Sequence, residues 1–185
     1  KWRCRFKFGG KIPGPGFYQI RFPTQAIHII LTGGVQRVTT DIDNLSNYTV
    51  EGDGAQDSRY IQEMYMILDK YNSMGDSLRN ALKNTEKTKK RMEIYDKLNK
   101  INKKRQRLKF KDMKELVERA RKNQSIAAPI MSVRMEINRD MDYFEKLHQE
   151  YKQMYPDNYF VGKLKEKIDN VNEYLRKHGR QQQNN

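Results

Sequence analysis

The sequence predicts a mainly α protein, with long helices arranged as a helical hairpin or coiled-coil-like pair after a short extended, β-rich N-terminal region with an irregular basic arm. Three observations carry this expectation. Apolar residues alternate with cationic ones over Lys1–Phe8, a period of two. From about Ser58 the apolar period changes to roughly 3.6. Near the C-terminus, Val133, Ile137, Met141, Phe144, Leu147, Tyr151 and Met154 recur at steps of three and four, close to a heptad seam.

Taken in order, the first segment is a basic extended arm over residues 1–40. In Lys1–Phe8, Trp2, Cys4, Phe6 and Phe8 fall on one face of an extended chain, and Lys1, Arg3, Arg5 and Lys7 on the other. Such a ribbon suits a strand or tail lying between a protein surface and a phosphate backbone; it also suits an edge strand whose cations deter aggregation. The stretch Gly9–Gly16, in which Pro and Gly alternate from Pro13 to Gly16, then forces an irregular turn, since neither helix nor interior strand tolerates it. The turn has neither phosphate-loop spacing, G-x-x-x-x-G-K-[ST] nor G-x-G-x-x-G. An extended run from Phe17 to Phe22 follows. The apolar stretch Ala26–Leu31 and the β-rich stretch Val35–Thr40 predict a hairpin turning at Thr32-Gly33-Gly34. Residues 41–57, polar and rich in Gly, Asn and Asp, read as a linker.

Residues 58–111 read as one long helix or as a hairpin broken near Asn84–Lys87, with Asp57 or Ser58 as the N-cap. Residues 112–180 read as further helices: one over 112–122, one from about Ile130 to Met154, and one from about Gly162 to His178. The tail, residues 181–185, is low-complexity and reads as disordered.

Charge is concentrated. The chain of 185 residues has a net charge of +14, with 36% hydrophobic and 32% charged residues. So lean an apolar content predicts that much of the apolar surface is buried against partners. Residues 1–40 have seven Lys/Arg and no acid, a net +7; residues 41–82 have three against eight acids, −5. Residues 83–111 have thirteen against three, +10, and residues 112–185 have fourteen against twelve, +2. Two segments therefore hold the excess, as two contact surfaces for a polyanion would.

On the helix over 83–111, Lys97, Lys100 and Lys104 share a face at i, i+3 and i+7, with Lys103 and Arg107 beside them. Like charges at these spacings cost a few tenths of a kcal/mol, about 0.2–0.5 per pair. A polyanion relieves that repulsion and releases its own counterions. The candidate RNA contacts are thus Arg3, Arg5, Lys7, Lys11, Lys97, Lys100, Lys103, Lys104, Arg105, Arg107 and Lys109, with Trp2, Phe17 and Tyr18 as candidates for stacking on unpaired bases. The run Lys103-Lys104-Arg105-Gln106-Arg107 also fits a nuclear localisation signal.

No catalytic constellation is visible. His148-Gln149-Glu150 has the H-x-E order of zinc deaminases without the P-C-x-x-C half, and the single Cys4 forms no zinc pattern. Neither a cofactor nor a metal is expected. No stretch approaches the roughly 18 apolar residues of a membrane span.

The stretch Phe6-Lys7-Phe8-Gly9-Gly10-Lys11-Ile12-Pro13-Gly14-Pro15-Gly16-Phe17-Tyr18 resembles a sperm-tail PG-rich repeat, the F-x-F-G…PGPG-x-Y element of some axonemal proteins. The resemblance covers about thirteen residues in one copy. It implies a filament component whose cations would face the acidic surface of tubulin.

The composite expectation is a non-catalytic, RNA-binding subunit of a large ribonucleoprotein, first of all a mitochondrial ribosome in the matrix, contacting rRNA and neighbouring proteins. A first residue other than Met fits removal of a targeting peptide. The alternatives are an axonemal or microtubule-associated protein of the cilium, and an accessory subunit of a mitochondrial complex.

Overall fold

The structure, a computed structural model, describes residues 9–23, 25–41, 44–85 and 88–182. It is mainly α, with two small antiparallel sheets at its N-terminal end.

Strands β1 (Gly16–Arg21) and β2 (Ala26–Leu31) form one hairpin, in register from Gly16 opposite Leu31 to Arg21 opposite Ala26. The turn is closed by the Phe22 amide donating to the Gln25 carbonyl at 2.8 Å. Strands β3 (Gln36–Asp41) and β4 (Asn44–Gly52) form a second hairpin, from Gln36 opposite Gly52 to Asp41 opposite Asn44, irregular at Thr40/Asp41.

This corrects two expectations. Residues 26–31 and 36–41 do not pair with each other; the turn at Gly33-Gly34 joins two hairpins instead. The stretch expected as a linker over 41–57 holds β4 and the start of a helix. Its polar composition hid a half-buried strand, in which Tyr48 and Val50 are buried while Asn47, Thr49 and Glu51 face water. Ile27, Ile29, Leu45, Tyr48, Val50 and Ala55 form a small core between the hairpins.

Helix α1 (Ala55–Asn72) is the central element. At 100° per residue, Ser58, Gln62 and Tyr65 lie on one side of it and Tyr60, Glu63 and Tyr71 on the other. The first side meets the sheets. Ser58 Oγ accepts from the Ile30 amide at 2.9 Å and donates to the Ile30 carbonyl, and Gln62 donates to the Tyr48 carbonyl at 2.7 Å. Ser58 is therefore not the helix cap. Gly54 occupies that position at φ 71°, and the fully buried serine stitches helix to strand.

The second side of α1 meets α3 (Thr88–Lys122), a single helix of 35 residues that absorbs the separate helix expected over 112–122. Lys70 and Tyr71 reach Asp112, whereas Glu63 reaches Arg119 and the Tyr60 hydroxyl accepts from Asn123. Falling numbers in α1 match rising numbers in α3, so the two run antiparallel. The short α2 (Asp76–Lys83) continues along α3, with Gly75 close to Leu98 and Ile101.

The helix expected from Ile130 to Met154 is broken. α4 (Ala127–Val133) ends, a 3₁₀ turn covers Ile137–Arg139, and α5 (Met141–Met154) starts at Asp140, whose side chain accepts from the Tyr143 amide. The heptad-like seam is thus divided among three elements facing a common core. Helix α6 (Tyr159–Gln182) closes the bundle, its first turn held by Asn158 Oδ1 accepting from the Phe160 amide at 2.8 Å. Met64, Met113, Leu116, Met131, Phe144, Tyr151 and Leu164 are among the core side chains no more than 2% exposed. Of the tail read as disordered, residues 183–185 lie outside the described residues.

Candidate nucleic-acid interface

The N-terminal half of α3 is packed on one side only. Ile94 and Leu98 are buried, at 7% and 6% exposure, and Ile101, Arg105 and Leu108 continue that stripe half-buried. These positions repeat at three and four residues and face α1 and α2, where Arg91 donates to the Leu82 and Thr85 carbonyls at the end of α2. The other side of the helix is open.

On that open side Lys97, Lys100, Lys104, Arg107 and Lys111 fall into one row, spaced three, four, three and four residues apart. All are exposed, and the row spans about 21 Å at 1.5 Å per residue. Lys90, also exposed, lies a heptad before Lys97, so lysines stand at 90, 97, 104 and 111. Glu93 interrupts the row between the first two. Lys103 is exposed on its flank.

Pairing separates this segment from the rest of the helix. Among the described residues, the side chains of Lys97, Lys100, Lys103, Lys104, Arg105 and Arg107 make no hydrogen bond or ion pair. Farther along α3, Lys109 pairs with Glu136, Lys111 with Glu115, Lys114 with Asp140, Arg119 with Glu63, and Arg121 with both Glu118 and Glu150. Burial raises the Glu118 carboxyl, but the Arg121 and Tyr143 hydrogen bonds outweigh it and hold the group below the usual carboxylate range. The Tyr71 hydroxyl, together with Lys70, holds Asp112 low in the same way. These anchors fix the helix on the bundle and leave its first half to present unneutralised cations.

The structure does not bring all the expected contacts together. Arg105 sits on the packed side, and Lys109 is turned toward Glu136 at 3.7 Å, beside a small hollow lined by Leu68, Phe110 and Met135. Lys11 is exposed ahead of β1 and is not part of α3. Arg3, Arg5, Lys7 and Trp2 lie outside the described residues. Lys90 and Lys111, absent from the expected set, extend the row at the seven-residue spacing, although Lys111 is paired with Glu115.

The two described stacking candidates are engaged within the chain. Phe17 stacks on His28 with centroids 5.3 Å apart and meets Phe160 edge-on at 6.4 Å. His28 is sandwiched against Tyr65 at 4.2 Å and accepts from the Gln19 amide at 2.8 Å. Burial, with Arg134 nearby, pushes its imidazole down. Tyr18 donates to the Gly14 carbonyl at 2.9 Å, folding the Pro-Gly turn onto its own ring.

Other chemistry is sparse. A cleft of about 230 Å³ between α5 and α6 is lined by Glu145, His148, Gln149, Lys165, Asp169 and Asn172. Lys165 is already paired with Asp169, and Asn172 donates to Glu145 at 3.3 Å. Among the described residues no group of three His, Cys, Asp or Glu side chains converges as a metal centre requires, and no helix is long and apolar enough to cross a membrane. No family model matches the chain, and no curated protein or solved structure matches it either.

Proposed function

We propose that this protein is a non-catalytic, RNA-binding structural subunit of a large ribonucleoprotein. The observation that carries the reading is the row Lys97, Lys100, Lys104 and Arg107, exposed and, among the described residues, unpaired, on a helix whose later cations are nearly all neutralised. Holding like charges together on one helix face costs folding energy, and among the described residues no ion pair to these four side chains offsets it. A phosphate backbone returns it through ion pairing and counterion release. On this reading α1 and α3 form a helical, coiled-coil-like hairpin that presents the row, and the C-terminal helices dock neighbouring proteins. The assembly that suits a basic, helix-rich subunit of this size is the mitochondrial ribosome, with rRNA as the polyanion and the matrix as its location.

A second reading, a cytoskeletal or axonemal filament component, is favoured by one feature. The PGPG-x-Y element resembling a sperm-tail repeat is a turn closed by the Tyr18–Gly14 hydrogen bond. An acidic protein surface would then take the place of RNA. Pull-down of the tagged protein, with and without ribonuclease, followed by gradient sedimentation separates the two. Co-sedimentation with ribosomal particles that ribonuclease disrupts is the expected result. Ribonuclease-insensitive association with tubulin overturns it.

A further inference from the structure

The basic row lies on one uninterrupted helix and is itself free of aromatic side chains, and these properties select among nucleic acids. α3 is uninterrupted through the row, and Ile94 and Leu98 pin its packed side. The backbone positions of Lys97, Lys100, Lys104, Arg107 and Lys111 are therefore fixed at steps of about 4.5 and 6 Å along the axis.

Proteins that hold single strands combine a basic groove with aromatic platforms on which unpaired bases stack. Among the described residues the row has no such platform. Tyr95 is half-exposed, but it is two residues from Lys97 and so about 160° around the helix from it. Phe110 packs edge-on against Phe144 at 6.3 Å. Phe17 and Tyr18 are with the sheets, on the other side of α1. Base reading is equally unsupported, because lysines act as point charges and Arg107 is the row's only forked donor.

A fixed row of cations gains most from phosphates that are already fixed. A flexible single strand must lose conformational freedom to match the row, and that ordering cost is subtracted from affinity. A double helix has largely met it in advance. Resting on the RNA-binding reading above, the geometry points to the backbone of double-helical RNA as the ligand of this row, held without regard to sequence through four or five phosphates.

Fluorescence anisotropy on the full chain tests this, with RNA duplexes of about 16 base pairs in two unrelated sequences, an unstructured single strand of the same length, and poly-glutamate. The duplexes are expected to bind alike and about tenfold tighter than the single strand. The slope of log K against log salt for the duplexes is expected near −4, as about four or five phosphates at −0.9 each require. The variant K97E/K100E/K104E/R107E, with its helical circular dichroism retained, is expected to lose binding to both duplexes. A single strand bound as tightly as a duplex overturns the duplex assignment and leaves the RNA reading standing. Poly-glutamate bound as tightly as duplex, or a folded quadruple variant that binds duplex undiminished, overturns the RNA role of the row itself.

Discussion

The Tyr71 hydroxyl donates to the Asp112 carboxylate at 2.6 Å, and Lys70 reaches the same oxygen at 3.1 Å, tying the end of α1 to α3 one residue past the basic row. A hydrogen bond to a charged group contributes about 1.5–3 kcal/mol when well buried. Asp112 is partly exposed, so the screened value is nearer 1 kcal/mol. Tyr71→Phe should lower stability by about that amount in urea denaturation. The folded carboxyl lies below its ordinary 3.8, so its contribution is present above that pH and lost as pH falls through the folded value. Tyr71→Phe should therefore shrink the stability lost to acid below about pH 4.

Charge on the row should be separable from the fold. Lys97, Lys100, Lys104 and Arg107 are exposed and unpaired among the described residues, so replacing any one by Ala should change the melting temperature little. Each replacement should lower the magnitude of the salt slope for RNA binding by about one unit. Equal salt slopes for wild type and the Lys100→Ala variant would remove Lys100 from the contact.

His28 and His148 are both pushed below their ordinary value of 6.5, chiefly by burial. The unfolded chain then binds more protons than the folded one between the folded values and 6.5. Stability is full above 6.5 and falls as acid is added through that window. A pH series of thermal melts checks this. In His28→Phe, which keeps a ring between Phe17 and Tyr65, the fall should be smaller, the remainder belonging to His148.

Core truncation should be severe where the bundle converges. Phe144 is fully buried between Phe110 and Tyr143. Phe144→Ala should cost about 3–5 kcal/mol. Met92, at 64% exposure, should tolerate Ala with a change within about 0.5 kcal/mol. Equal losses for the two in denaturant titration would contradict the packing described.

Gly54 joins sheet and helix at φ 71°, with Thr32 and Gln36 so near that a Cβ would lie 2.7 Å from the Thr32 hydroxyl. Gly54→Val should cost more than about 1 kcal/mol through strain and crowding together, read as a lower midpoint in urea.

Periodicity determined much of this protein. The change from period two to 3.6 near Ser58, the concentration of Lys and Arg over 83–111, and the Pro-Gly turn at 13–16 all follow from side-chain spacing and backbone chemistry. Those are local quantities, and the sequence states them directly. Lys97, Lys100, Lys104 and Arg107 were legible as a cationic face for the same reason.

The tertiary structure decided what depends on partners distant in the chain. It paired β1 with β2 and β3 with β4, because Ile27 and Ile29 find their cover on Leu45, Tyr48 and Val50, which polar neighbours disguised as a linker. It broke the 130–154 seam at Asp140, where a side chain taking a backbone amide and an ion pair with Lys114 outweigh helix continuity. It turned Lys109 toward Glu136 and Arg105 toward the bundle, so that two cations identical in composition to their neighbours leave the exposed row. Which cations remain free is a question of which acids come within reach, and only the packed chain sets those distances.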